Sequence, residues 1–266
     1  MAEPFYVYWQ PGWTSCLRLK EFLTTRGVVY ESVNVHGNPE GMAMLKRIGI
    51  KRIPAVSQGD RYVMGQKMAD VCEFVGIELG DVTEFTVDEL AAKMETILGA
   101  AQRYMRQMTI DDLDQKLPNR DRAIRQLCFH VHRIVEGFCE VMDGEAEEFH
   151  TTIADIAHPD SIISGEDLAV YGEGVLKRFQ AWHTAYGGNG TESANAYWGD
   201  VTLRELLERC TWHPGQHVRQ LKMYMEGRDN APKQPIDDAV FEGLPMPKKV
   251  WDDEKMDEDN SIMAAE

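Results

Sequence analysis

The hydrophobic pattern of this chain changes its period near residue 80, and this change limits the fold more than any other feature. Up to about residue 78, short apolar runs typical of strands alternate with amphipathic helical segments. Beyond residue 85, apolar residues recur every 3.6 residues, as they do along helices, with no strand pattern between them. The 266 residues are enough for two domains. We therefore predict two domains of different fold classes.

The first region predicts an α/β domain over residues 1–78. A turn at Gly59-Asp60 indicates a hairpin between two of its strands. The order β-α-β-α-β-β-α predicts a central sheet covered by helices. Residues 79–85 are polar and read as a linker. The predicted strands are 5–9, 28–35, 53–56 and 62–64, and the predicted helices are 15–25, 41–48 and 66–75.

The second region, residues 86–226, predicts an all-α four-helix bundle. Its first and last helices start at the capping boxes Thr86–Glu89 and Thr202–Glu205. The loop 143–164 is long for a bundle, which indicates a crossover or a lid. Residues 227–266 form a tail in which prolines disfavour regular structure and the acidic run 251–260 favours solvation. The four predicted helices cover about 86–108, 121–142, 166–186 and 202–226.

The net charge and the number and spacing of the cysteines disfavour several classes of protein. The net charge of −16 disfavours nucleic-acid binding and anionic membrane surfaces, because both select basic patches. There is no basic and apolar signal segment, and no apolar run approaches the ~20 residues of a membrane span. Five scattered cysteines without CxxC spacing disfavour disulfides and a cysteine-based zinc site, so we expect a cytoplasmic protein.

Two histidines four apart, His213 and His217, return to the same side of the last helix. This spacing presents two neutral imidazoles to one metal ion. Pro214 follows the first of them, so either the helix kinks there or a new turn begins at Pro214 and leaves His213 before the helix. A third histidine from elsewhere in the chain would complete an open three-histidine site, and the second predicted helix carries two histidines. His130 shares a face with the apolar residues there, whereas His132 is predicted to point to the flank, so His130 is preferred and His132 is the alternative.

Four further histidines are expected on the surface or in loops. His183 follows Trp182 on the third helix and can line the open end of the bundle, and His158 can reach that end from the long loop. The set is His36, His150, His158 and His183.

The first 78 residues resemble a glutaredoxin, through the turn YWQPGWTSC and the segments IKRIPAV and YVMGQKMADV. Glutaredoxins have cysteines at the positions of Trp13 and Cys16, so this chain lacks the nucleophile and retains the second position. The resemblance implies a thioredoxin fold in which Pro54 is the cis-proline, Ile53 offers its backbone to a thiol and Gln66 lies at the glutathione site. Trp13, Cys16 and Pro54 are expected to shape the thiol pocket. Dithiol exchange is not expected. The alternative is a scaffold kept for packing or dimerisation.

Residues 86–226 resemble the DinB superfamily, which has one histidine on helix 2 and an H-x-x-x-H motif on helix 4. His213 and His217, followed by Gln220 and Leu221, match the second element. The resemblance implies a divalent metal held by His130, His213 and His217, and relatives that are metal-dependent thiol transferases and isomerases.

Three imidazoles on a metal ion leave a coordination position open, as in catalytic sites. The sequence therefore favours a glutathione-dependent transferase or isomerase that acts on a small electrophile. Zinc is the preferred metal, and nickel and iron also accept imidazole. We expect a homodimer whose partners are a low-molecular-weight thiol and the electrophile. The alternatives are a non-catalytic metal- or glutathione-binding protein and a hydrolase that uses metal-activated water.

Overall fold

The computed structural model describes residues 3–117, 120–149 and 156–252. These residues form two compact units. The first contains residues 3–82, residue 120 and residues 247–252, and the second contains 83–117 and 121–246. The main division along the chain thus falls at residues 82 and 83, within the predicted linker 79–85.

The first unit is a four-stranded mixed sheet with the strand order β2-β1-β3-β4. Strand β1 runs parallel to β2 and antiparallel to β3, and β3 and β4 form the predicted hairpin. The predicted thioredoxin-like α/β class is confirmed. The elements are β1 Phe5–Trp9, α1 Thr14–Thr25, β2 Tyr30–Asn34, α2 Pro39–Ile48, β3 Ala55–Gln58, β4 Arg61–Met64 and α3 Met68–Val75.

The central strand β1 supplies the middle of this unit's core, because Val7, Tyr8 and Trp9 are at most 1% exposed. They belong to one apolar cluster with residues of α1 and β3. Gly59, at a φ of 62°, makes the hairpin turn, a conformation that costs glycine little. A central strand buried on both faces explains why the sequence run FYVYW is almost continuously apolar.

The second unit is a bundle of four long helices, as the sequence predicted. Helices α4 and α6 each pack against both α7 and α8. Capping boxes start α4 at Thr86, α7 at Ser164 and α8 at Thr202, which satisfies backbone N–H groups that the first turn leaves unpaired. The helices are α4 Val87–Gln107, α5 Ile110–Asp114, α6 Ile124–Met142, α7 Gly165–Ala185 and α8 Leu203–Glu226.

The expectation that no strands interrupt the helices is wrong. Short strands β5 Lys116–Leu117 and β6 Arg120–Ala123 pair with each other, and β7 Ser193–Ala196 pairs antiparallel with β8 Gly199–Thr202. Phe149, in the long loop before α7, bridges to Ala196 of β7. Strands of two to four residues are too short for alternation to be visible in the sequence, which explains the error.

The segment after α8 is more regular than its prolines suggested. A 3-10 helix covers Asp238–Phe241, and Lys93 of α4 donates hydrogen bonds to the carbonyls of Val240 and Glu242. The backbone N–H of Ile236 donates to the hydroxyl of Tyr104 at 2.8 Å. This segment therefore belongs to the bundle.

Residues 247–252 return to the first unit. The backbone N–H groups of Lys248 and Lys249 donate to the carboxylate of Glu21, at 2.6 and 3.0 Å. Asp252 lies 3.9 Å from the ammonium of Lys20. The predicted acidic tail lies mostly outside the described residues, as does the predicted loop residue His150. None of the described helices is both long enough and apolar enough to cross a membrane.

Candidate metal centre

Helix α8 carries two of the histidines on one continuous helix. It runs from Leu203 to Glu226 with Pro214 inside it, so His213 is a helical residue and no new turn begins at Pro214. Residues four apart lie one above the other on a helix face. The ring centroids of His213 and His217 are accordingly 4.7 Å apart.

Helix α6 carries His130 on its buried side, where the side chain is 4% exposed. Its ring centroid lies 5.6 Å from that of His213 and 5.1 Å from that of His217. Since α6 and α8 are packing neighbours, the three imidazoles converge in the interior of the bundle. The structure therefore brings together the three histidines chosen from the sequence.

The spacing of the ligand atoms suits one metal ion. One nitrogen from each of His130, His213 and His217 lies within 4.8 Å of the other two. Zinc binds imidazole nitrogens at about 2.0–2.1 Å, which places tetrahedral ligand atoms about 3.3–3.4 Å apart. Side-chain rotations that move nitrogens by about 1 Å close this difference. The Nδ1 atom of His213 is buried and makes no hydrogen bond to any described residue, which fits a ligand atom.

Gln220 fixes the orientation of one ligand. Its side-chain Oε1 lies 2.7 Å from Nδ1 of His217. Because an amide oxygen only accepts hydrogen bonds, Nδ1 must carry the proton and Nε2 the lone pair. Metal-binding histidines commonly use their second nitrogen in this way. Gln220 is 5% exposed, so water does not compete for the contact.

The surroundings keep His213 neutral. Burial, and after it the charge of the nearby Arg209 guanidinium, hold the pKa of His213 well below its usual range. Its side chain is only 9% exposed, and the neighbouring Trp212 is 1% exposed. Metal ligation requires the neutral imidazole, so this environment presents the lone pair at neutral pH.

His132 does not join the cluster, and the expectation that it points to the flank is wrong. Its side chain is 0% exposed and lies against Gly172 and Tyr171 of α7. Neither ring nitrogen makes a hydrogen bond to a described residue. Burial lowers the pKa of His132 to about 3, so the ring is neutral. Gly172, on another helix, leaves the space that the ring fills.

The other described histidines lie apart from the cluster. His183 contacts Asp88, with Nε2 and Oδ1 2.9 Å apart at the end of α7. His158 lies in the loop before α7, where Nδ1 is 3.1 Å from the carbonyl of Pro159. His36 lies in the first unit, just after β2.

The first unit holds the second group of site residues. The peptide bond between Ile53 and Pro54 is cis, as the resemblance implied. Trp13 is the N-cap residue of α1 and Cys16 lies in its first turn, with a side chain that is 0% exposed. Gln66 is 6% exposed, and its carbonyl accepts a hydrogen bond from Arg18. Cys16 is thus placed as a buried core residue.

Gly65 is needed where the chain passes Pro54. Its N–H donates to the carbonyl of Pro54 at 2.8 Å, and a Cβ at Gly65 would lie 2.6 Å from Leu19 and 3.1 Å from the carbonyl oxygen of Pro54. Glycine therefore allows the backbone before Gln66 to approach the cis-proline closely.

Two further residues of the bundle contribute to the metal centre. Gln220 was noted in the sequence as part of a motif, but its contact with His217 was not predicted. Arg209 was not considered, although it lies four residues before His213 and therefore on the same helix face. The i,i+4 spacing of Arg209 and His213 could have identified Arg209 from the sequence.

Comparison with known proteins supports the similarity of the first unit to glutaredoxins. Residues 6–63 match the glutaredoxin family model. The match covers the sheet from β1 to β4 and includes Trp13, Cys16 and Pro54. Searches of curated proteins and of solved structures gave no significant match. The glutaredoxin domain indicates a thiol-related function, and the three-histidine cluster can bind a metal ion.

Proposed function

We propose that this protein is a metal-dependent transferase or isomerase that uses a low-molecular-weight thiol, with glutathione as the preferred thiol. The observation that carries the proposal is the buried cluster of His130, His213 and His217 in a chain that also contains a glutaredoxin domain without the first cysteine. A protein with this combination needs another way to activate a thiol. The DinB-like relationship of the bundle is part of the same proposal.

The roles of the bundle residues follow from their contacts. Three histidines supply the ligands, and Gln220 accepts a hydrogen bond from Nδ1–H of His217, which leaves the lone pair on Nε2. A bound divalent metal lowers the pKa of a coordinated thiol far enough to give thiolate at neutral pH. Burial of His130 and Trp212 limits the access of water to the centre. Zinc is the preferred metal, because three imidazoles and one open position are typical of catalytic zinc sites.

The glutaredoxin domain supports glutathione as the thiol. The cis Ile53–Pro54 bond shapes the backbone that glutaredoxins offer to a thiol, and Gln66 follows nearby. Cys16 is buried, so we assign this domain a binding role and no disulfide exchange. The thiolate sulfur either forms a C–S bond with the electrophilic carbon, as the bond to a halide or to an epoxide oxygen breaks, or adds reversibly to a double bond and leaves again after the bond has isomerised.

The test is turnover by the full-length, zinc-loaded protein with glutathione and 1-chloro-2,4-dinitrobenzene or an epoxide. We expect His217→Ala to lower turnover by more than the roughly 10–100-fold cost of losing a partner of a metal ligand. His183→Ala is the matched control and should retain activity, because His183 contacts Asp88 away from the cluster.

The same assay separates the alternatives. Hydrolysis of an ester or epoxide that proceeds equally without any thiol would favour a hydrolase that uses metal-activated water. Saturable metal and glutathione binding, with no turnover of any electrophile, would favour a binding protein. Disulfide reduction that disappears in Cys16→Ser would contradict the binding role of the glutaredoxin domain.

A further inference from the structure

Arg209 is a partly buried cation beside the three-histidine cluster, and it pairs with no carboxylate among the residues that the structure describes. It lies on α8 four residues before His213, one turn along the same face. Its Nε and Nη1 atoms are inaccessible to solvent and make no hydrogen bond to any described residue. The guanidinium lies 4.9 Å from the centre of the Trp212 ring and hydrogen-bonds to Tyr197.

Other arginines of the bundle are paired differently. Arg204, on the same helix, forms an ion pair with Glu208 at 3.3 Å. No carboxylate of the described residues pairs with Arg209 in this way. Among the described arginines that form ion pairs are Arg106, Arg125, Arg133, Arg178, Arg204 and Arg228.

An arginine in this position is costly unless an anion binds to it. A buried N–H group without a hydrogen-bond partner destabilises the folded state, and more so when the group is charged. The cation–π contact with Trp212 compensates for only part of this cost. The Nε–H and Nη1–H groups remain without a hydrogen-bond partner among the described residues, and each can donate a charge-assisted hydrogen bond to a carboxylate oxygen.

We propose that Arg209 binds a carboxylate of the ligand whose sulfur or electrophilic carbon reacts at the three-histidine centre. This inference rests on the proposed function and adds the class of substrate. The carboxylate belongs either to the thiol or to the second substrate. Glutathione carries carboxylates, and so does an unsaturated acid, so the chemistry at Arg209 is the same in both cases.

Two small thiols of similar size test the proposal by binding. We would load the full-length protein with Co²⁺ and titrate it with 3-mercaptopropionate or 2-mercaptoethanol, using the sulfur-to-cobalt absorption to measure Kd. A charged hydrogen bond contributes about 1.5–3 kcal/mol, so we expect 3-mercaptopropionate to bind roughly 10- to 100-fold more tightly. Arg209→Gln should reduce this ratio to about 1, whereas the matched control Arg204→Gln should leave it unchanged.

A second variant and a metal-free measurement complete the test. Arg209→Lys keeps the charge but not the planar array of N–H donors, so it should lose part of the preference even if Arg209→Gln fails to fold. In metal-free protein, propionate should raise the melting temperature of the wild type but not that of Arg209→Gln. An equal Kd for the two thiols in the wild type, or an unchanged ratio in Arg209→Gln, would overturn the proposal and show that Arg209 only packs against Trp212.

Measuring glutathione binding shows whether the carboxylate belongs to the thiol or to the second substrate. Weaker glutathione binding in Arg209→Gln assigns the carboxylate to the thiol. Unchanged glutathione binding, together with loss of the 3-mercaptopropionate preference, assigns it to the second substrate. If thiols never coordinate cobalt but propionate still stabilises only the wild type, then the proposed function fails and the anion site at Arg209 remains.

Discussion

Gly172 and Gly174 of α7 form a matched pair that tests the buried position of His132. Both lie in the middle of the same helix, and Gly174 is exposed. A Cβ at Gly172 would lie 2.3 Å from Nε2 and 2.4 Å from Cε1 of His132, whereas a Cβ at Gly174 would meet no atom within 4 Å. The two alanine variants therefore differ mainly in one contact.

The magnitudes follow from two opposing effects. Alanine stabilises a helix interior by about 0.8–1.0 kcal/mol relative to glycine. We therefore expect the free energy of unfolding of Gly174→Ala to rise by about 1 kcal/mol. Gly172→Ala gains the same amount but forces the buried ring of His132 to move, and overpacking of this kind costs about 1–3 kcal/mol. Gly172→Ala should thus be about 1–3 kcal/mol less stable than Gly174→Ala.

Urea unfolding followed by helical circular dichroism at pH 7.5 measures the difference, with a chelator present so that metal binding does not contribute. His132→Ala removes the ring, and in that background the cost of Gly172→Ala should disappear. The resulting non-additivity should be about 1–3 kcal/mol. Equal stabilisation by the two glycine replacements, or additive effects of His132→Ala and Gly172→Ala, would refute the placement of His132 against Gly172.

Three further predictions concern the metal centre and the thiols. Gln220→Leu should lower zinc affinity about 10- to 100-fold, measured by competition with a chromophoric chelator, whereas Gln180→Leu should not, because Gln180 of α7 donates to Glu95 of α4. Zinc should raise the melting temperature of the wild type in proportion to the logarithm of its concentration, and should not do so in His213→Ala. Burial raises the pKa values of the Cys128, Cys139 and Cys210 thiols to about 12. These thiols are therefore protonated at pH 8 and should react with a disulfide reagent only after unfolding, and rapid labelling of the native protein would contradict this.

The sequence predicted the long elements because their patterns are repeated many times. Helix α8 extends over 24 residues and starts at a capping box that the sequence displays directly. The strand β1 is a nearly continuous apolar run, as expected for the centre of a sheet. By contrast, β7 and β8 contain four residues each, so their pattern is no stronger than that of a loop.

In the candidate site, features that depend on spacing within one helix were predictable, whereas features that depend on contacts between helices were not. The spacing along each helix paired His213 with His217 and favoured His130 over His132, whereas the resemblance to the DinB superfamily indicated that the third ligand lies on the second helix of the bundle. The burial of His132 depends on the missing side chain of Gly172, which lies 40 residues further along. The spacing of Arg209 from His213 is visible in the sequence, but only the folded structure shows that no described residue accepts a hydrogen bond from its Nε and Nη1 atoms.

The return of residues 247–252 to the first unit affects how the protein is made. The ribosome synthesises residues 3–82 first, but two backbone groups that bind Glu21 belong to Lys248 and Lys249. During translation the first unit therefore emerges without its last segment, and the whole helical bundle must be synthesised before that segment follows. We expect the nascent first unit to acquire these contacts with Glu21 only after residues 248 and 249 have been translated, so its maturation depends on translation of the bundle.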